Sequence, residues 1–149
     1  MRGAAAVVGI GETEFSKDSG RSELQLAAEA SLAALEDAGL DVTDVDGMVT
    51  FTIDPTDDLD LMRVLGIEDL SYTVRLPHGG AGSGATLCAA ALAVASGAAE
   101  TVLVYRALNA RSGRRFGRAR SPGEMPAMGT GWGFTSWAAP YGALTPAAI

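Results

Sequence analysis

The sequence predicts an α/β fold with a largely parallel sheet, and three observations carry that reading. Apolar, β-branched runs alternate with alanine- and leucine-rich runs of helical spacing, in the order β-α-β-α-β-α-β. The helical runs begin at capping residues and stop at glycines. The first strand-like run is continuously apolar rather than alternating, as expected where helices cover both faces of a sheet.

Taken in order, "AAAVVGI" (residues 4–10) is closed by Gly11 and reads as a buried strand. "SELQLAAEASLAALEDAG" opens with Ser22 and Gln25 in capping-box spacing and closes at Gly39. Leu24, Ala28, Leu32 and Leu35 recur there at helical spacing, so they are the expected buried face. Residues 43–46 read as a turn, and "GMVTFTI" as a second strand ending before Asp54-Pro55. "DDLDLMRVLG" suits a short amphipathic helix, and "SYTVRLP" a third strand stopped by Pro77. A glycine-rich bend then feeds a helix from about Gly82 to Ser96, ended by Gly97, and "ETVLVYRAL" is the fourth strand. Residues 109–133 turn to Arg, Gly, Pro and Ser, a loop long enough to be functional or interfacial. Near the end Thr145 and Pro146 have the chemistry of a helix start with only three residues to follow, so the sequence is expected to be cut short.

At 149 residues the chain has the size of one ordinary domain, and 48% hydrophobic against 19% charged residues excludes a disordered chain. One cysteine and one histidine exclude an intramolecular disulfide and argue against a His/Cys metal site. No apolar run is long enough to span a bilayer and no signal peptide is evident, so cytoplasmic residence is expected. The net charge of −7 disfavours nucleic acid as a partner. Its distribution is uneven. Residues 1–100 hold seventeen acids against four arginines and one lysine, whereas residues 101–149 hold six arginines against Glu124 alone. That basic cluster suits a phosphate-bearing ligand or an acidic partner, or is a solvated loop.

Three familiar motifs fail on single residues. "GIGETE" places Glu14 where a dinucleotide fingerprint needs its third glycine, and that carboxylate repels a pyrophosphate. Residues 79–86 approach a phosphate-binding loop, but Ala85 stands where its lysine belongs. No G-x-S-x-G frame fits Ser83, so a hydrolase elbow is unsupported. What remains is a strand, a glycine bend and a helix whose first amides can bind an anion or oxyanion.

The segments "VVGIGETEFSKDSGRSELQLAAEASLAALEDAGL", "DVDGMVTF" and "GGAGSGATLCAAALAVASGAAETVLVYRALNARSGRRFG" resemble the thiolase superfamily, in its lipid-transfer-protein or sterol-carrier-thiolase branch. The resemblance implies a layered αβαβα fold when complete, a mostly parallel mixed sheet and a central buried alanine-rich helix, with this chain as the N-terminal half. It also places Gly84 on a family glycine and Ala81 where the nucleophilic cysteine belongs. Alanine forms no thioester, so acyl transfer is disfavoured. Cys88 lies two helical turns deeper and is expected to be a small core residue.

The implied activity is retro-aldol cleavage of a β-hydroxyacyl-CoA of the steroid side-chain type, with coenzyme A entering as part of the substrate and no other cofactor or metal. Ala81, Gly82, Ser83 and Gly84 are the oxyanion-site candidates, with His78 as a weaker contact. Tyr105, Arg106, Asn109, Arg111, Arg114 and Arg115 are candidates for substrate or CoA binding, and Trp132, Phe134 and Trp137 for an acyl channel. The catalytic base falls in the family's other half. The family implies a homodimer through the strand at Ser71, Tyr72, Thr73, Val74, Arg75 and Leu76, and a partner protein with a DUF35 OB-fold domain. Two alternatives stay open: a thiolase-type acyl-CoA acetyltransferase, and a non-catalytic assembly or lipid-binding subunit.

Overall fold

The computed structural model describes residues 3–51, 56–76, 82–109 and 111–112. Its elements in chain order are α1 (Glu23–Ala38), a single 3-10 turn (Val42–Asp44), β1 (Gly47–Phe51), α2 (Asp58–Leu65), β2 (Tyr72–Leu76), α3 (Gly82–Ser96) and β3 (Val102–Val104).

Local chemistry sets the helix ends. Ser22 Oγ accepts from Gln25 N at 3.1 Å to open α1, and Gly39 closes it in the left-handed conformation at φ 67°. The reciprocal half of the capping box is not made; the Gln25 amide reaches Glu29 Oε1 at 2.9 Å instead. Asp57 caps α2 through Leu59 N, and Gly66 ends that helix at φ 80°.

The three strands form a parallel sheet in the order β2-β1-β3, with Gly47 facing Tyr72 on one side and Val102 on the other. Side chains alternate between its faces. Met48, Leu103 and Tyr105 join Leu26, Ala27, Leu35, Leu61 and Leu65 in one core cluster, which puts α1 and α2 against that face. α3 packs against all three strands and buries Thr86, Ala90 and Ala93, which stand outside that cluster, so it covers the opposite face.

Asp46 joins the N-terminal ends of all three strands. Its carboxylate accepts Glu100 N at 2.9 Å and Thr101 N at 2.8 Å, ahead of β3. Its carbonyl accepts Ser71 N at 2.8 Å and Tyr72 N at 3.2 Å, at the start of β2. Its own amide donates to Thr101 O at 3.2 Å.

Several expectations are corrected. Residues 4–10 form no strand, and Val7, Val8 and Ile10 are 72%, 63% and 74% exposed. The segment lies across α1: a Cβ on Gly9 or Gly11 would overlap the carbonyl oxygens of Ala34 and Ala30, and Ile10 N donates to Asp37 Oδ2. The glycines of "GIG" therefore serve close backbone approach to a helix. Within α1 the buried face is Leu26, Ala27, Ala28, Ser31 and Leu35, leaving Leu32 48% exposed. Ser31 tolerates burial because its hydroxyl donates to Ala27 O at 2.6 Å.

Cys88 is exposed rather than core. Thr86, Ala90 and Ala93 define the sheet-facing side of α3, and at about 100° per residue a position two away from Thr86 and two from Ala90 points outward. Leu87 and Leu92 share that open side at 52% and 53% exposure, so α3 is covered on one side only among the described residues. The fourth strand contracts to a three-residue ladder, continued by Tyr105 N donating to Val49 O at 3.2 Å. The 113–149 stretch, with most of the arginine-rich loop and the Thr145-Pro146 helix start, lies outside the described residues.

Asp46→Ala removes the acceptor for two charge-assisted bonds to main-chain amides and is expected to cost about 2 kcal/mol. Urea unfolding should show a lower midpoint with an unchanged slope, and Asp46→Asn an intermediate loss.

Candidate functional site

The parallel strands end on the side from which α3 departs, the usual ligand edge of an α/β sheet. α3 begins at Gly82, so its first unpaired amides belong to Gly82, Ser83 and Gly84. Its first turn contains no acid, which leaves the positive end of the helix dipole uncompensated from within the helix. Thr86 Oγ1 turns back to donate to Ser83 O at 2.9 Å, so that hydroxyl is spent on the helix. Ser83 and Gly84 are exposed. A Cβ on Gly84 would meet nothing within 4 Å. Glycine inside a helix costs about 1 kcal/mol relative to alanine, so open space here, with no packing demand from the described chain, fits a surface kept bare for a ligand or further chain.

The other predicted site residues do not converge on that terminus. Tyr105 is 6% exposed and sits in the core cluster on the α1–α2 face, so it belongs to the framework of the site. Its hydroxyl lies near Arg75, Thr50 and Asp58, with no partner at full hydrogen-bond distance. Burial raises its pKa from 10.0 to about 12, with Arg75 pulling down and Asp58 pushing up. Asn109 accepts from Ser19 Oγ at 3.2 Å and donates to Arg21 O, using both ends of its amide to hold the loop before α1. Arg21 in turn pairs with Glu14 and Glu29. Arg106 and Arg111 are exposed. His78, Ala81, Arg114, Arg115, Trp132, Phe134 and Trp137 lie outside the described residues.

Sequence reasoning missed a polar cluster on the α1–α2 face. Arg75 Nε donates to Asp58 Oδ1 at 3.0 Å and an Nη donates to the Thr56 carbonyl. Thr73 Oγ1 donates to Asp58 Oδ2 at 3.3 Å. The available signal was the strand register: Thr73 and Arg75 are alternate residues of β2, hence polar positions of one face. Beside the cluster a shallow groove between the starts of α1 and α2 is lined by Ser22, Glu23, Leu24, Thr56, Asp57 and Asp60, and its acids disfavour an anionic ligand. Among the described residues no group of His, Cys, Asp and Glu is placed to hold a metal, and no helix is long and apolar enough to cross a membrane.

No family model matches the chain. It is 50% identical over 147 residues to a steroid side-chain-cleaving aldolase of Thermomonospora curvata. It is also 50% identical over 148 residues to a 17-hydroxy-3-oxo-4-pregnene-20-carboxyl-CoA lyase of Mycobacterium tuberculosis. Each match takes in 99% of this chain but only 37% and 38% of the relatives' lengths. Among solved structures, an Ltp2–ChsH2(DUF35) aldolase superposes with a TM-score of 0.72 at 48% identity, over 95% of this chain and 32% of that one. A priming β-ketosynthase of a polyketide pathway superposes with a TM-score of 0.51 at 22% identity, over 66% of this chain and 40% of its own, and bears on the fold alone.

Two outcomes follow from this geometry. Gly84→Ala is expected to stabilise this chain by about 0.5 kcal/mol, read as a higher urea midpoint, because the methyl group gains helix propensity without a clash. Tyr105→Phe is expected to leave stability at neutral pH unchanged or slightly higher, since the hydroxyl it removes has no partner. The folded chain holds the Tyr105 proton more tightly than the unfolded chain, so this contribution is intact below pH 10.0 and is lost as pH rises toward about 12. A pH series of unfolding midpoints should fall less steeply over that window in Tyr105→Phe than in the parent.

Proposed function

We propose that this chain, which has a thiolase-like fold and shares half of its residues with a steroid side-chain-cleaving aldolase and with a pregnene carboxyl-CoA lyase, belongs to the side-chain-aldolase branch of the thiolase superfamily and forms part of a retro-aldolase acting on a β-hydroxyacyl-CoA. The observation that carries the reading is the bare, acid-free N-terminus of α3 at Gly82, Ser83 and Gly84, at the C-terminal edge of a parallel sheet.

In such a reaction a base removes the proton of the β-hydroxyl, the bond between the α and β carbons breaks, and the β carbon leaves as a ketone. The bonding electrons pass into the thioester carbonyl, giving an enolate that is protonated at the α carbon to release a shorter acyl-CoA. Negative charge gathers on the thioester oxygen in the transition state. The α3 amides, backed by the helix dipole, are suited to receive it. No covalent acyl-enzyme is needed, which agrees with Ala81 at the position where the family resemblance expects cysteine. The base comes from the remainder of the longer polypeptide in this reading.

The substrate class follows the relatives, one of which is named for a pregnene carboxyl-CoA, so a steroid side chain activated as its CoA thioester is the substrate proposed here. Arg106 and Arg111, both exposed, together with Arg114 and Arg115, supply cations for the CoA phosphates. A DUF35 partner is supported by the solved Ltp2–ChsH2(DUF35) aldolase that this chain resembles. β2 is an edge of the described sheet, and its free side suits pairing with a second copy through Ser71, Tyr72, Thr73, Val74, Arg75 and Leu76. Cytoplasmic residence is part of the same reading.

The test incubates the full-length protein and its DUF35 partner with a steroid β-hydroxyacyl-CoA. Expected is release of a ketone and a shorter acyl-CoA without added free CoA, with kcat reduced in Gly84→Ala. Turnover that requires free CoA would replace this reading with thiolysis.

A further inference from the structure

The polar cluster around Arg75 has no part in the chemistry above. Arg75 stands one residue before the end of β2, with its side chain 31% exposed and that of Asp58 24% exposed. Its Nε binds Asp58 in the first turn of α2 while an Nη binds the carbonyl of Thr56, two residues earlier. Asp58 is held from a second side, because its other oxygen accepts from Thr73 of the same strand. β2 thus grips, through two side chains, the place where the chain coming from β1 enters α2.

An exposed ion pair at the surface contributes little. This one is different in form: a planar fork spans a carboxylate and a main-chain carbonyl at once, a geometry that only a guanidinium fits. The buried hydroxyls of Thr56 and Tyr105 lie beside it, so the fork is the polar contact of an otherwise enclosed corner. Leu76 ends β2 directly after Arg75, and α3 starts six residues later at Gly82.

We propose that Arg75 is a positioning residue for the α3 terminus: by tying Thr56 and Asp58 to β2 it holds the C-terminal ends of β1 and β2 at one separation, and the amides of Gly82 to Gly84 take their placement from that frame. The kinetic consequence rests on the aldolase reading; the structural consequence does not.

Arg75→Lys keeps the charge but loses the fork. In the full-length protein with its partner, kcat is expected to fall about ten-fold or more while KM changes less than about two-fold, because misplaced donors lose transition-state contact rather than substrate affinity. Hydrogen exchange across residues 85–88, whose amides make the first bonds within α3, is expected to quicken by about ten-fold, with the thermal midpoint little changed. Asp58→Asn should reproduce the kcat loss, and the double substitution should add little to either single one. Unchanged exchange at 85–88 in Arg75→Lys overturns the proposal. So does faster exchange with kcat unaltered in an active enzyme, or a kcat loss that merely tracks unfolding. If the parent protein cleaves nothing while exchange responds as described, the aldolase reading falls and the positioning of the α3 terminus stands.

Discussion

Everything in this arrangement hangs from Asp46. A parallel sheet has no hairpins to align its strands, so each strand must be brought to register after a long crossover. Here one residue performs the alignment at the open end: its carboxylate fixes the approach to β3, its carbonyl fixes the start of β2, and its amide joins the same knot from β1. An aspartate suits this place because two carboxylate oxygens can take several amides from outside the ladder. With the N-terminal ends pinned, the three C-terminal ends are carried to one edge, where α3 begins and where chemistry on such sheets is usually placed.

The two faces of the sheet then divide the work. On one face α1 and α2 form the denser core, with Met48 and Leu61 fully buried. On the other, α3 approaches closely through small residues, since Ala90, Ala93 and Ala99 demand little room above Gly47 and Val49. The outer side of α3 and the 4–10 segment retain exposed leucine, valine and isoleucine. Apolar surface on that scale suits an interface. The chain spans little more than a third of the length of its curated relatives.

Legibility in the sequence tracked the range of the forces involved. Ser22, Gly39, Asp57 and Gly66 announce helix ends because capping is settled within a few residues, and α1, α2 and α3 were readable to within a residue or so. The bare glycine terminus at Gly82 to Gly84 was readable for the same reason. Tyr105 and Asn109, assigned to the ligand edge on position alone, have partners in the described chain that position does not show: Tyr105 packs in the core with Met48 and Leu103, and Asn109 bonds Ser19 and Arg21 about ninety residues away. The Arg75–Asp58 pair, seventeen residues apart, was invisible because neither residue carries a local signature.

Sequence by itself determined the alternation of strand and helix, the helix boundaries and the family resemblance, all of which depend on local periodicity, capping and residue identity. Tertiary structure decided which apolar runs are covered. An apolar stretch such as 4–10 reads as a buried strand wherever it occurs, yet its ladder needs a neighbour that only the assembled chain can offer, and the glycines at 9 and 11 send it across α1 instead. The same reason places Cys88 outward: helical spacing defines two opposite sides of α3, and only the sheet beneath it chooses the side that is buried.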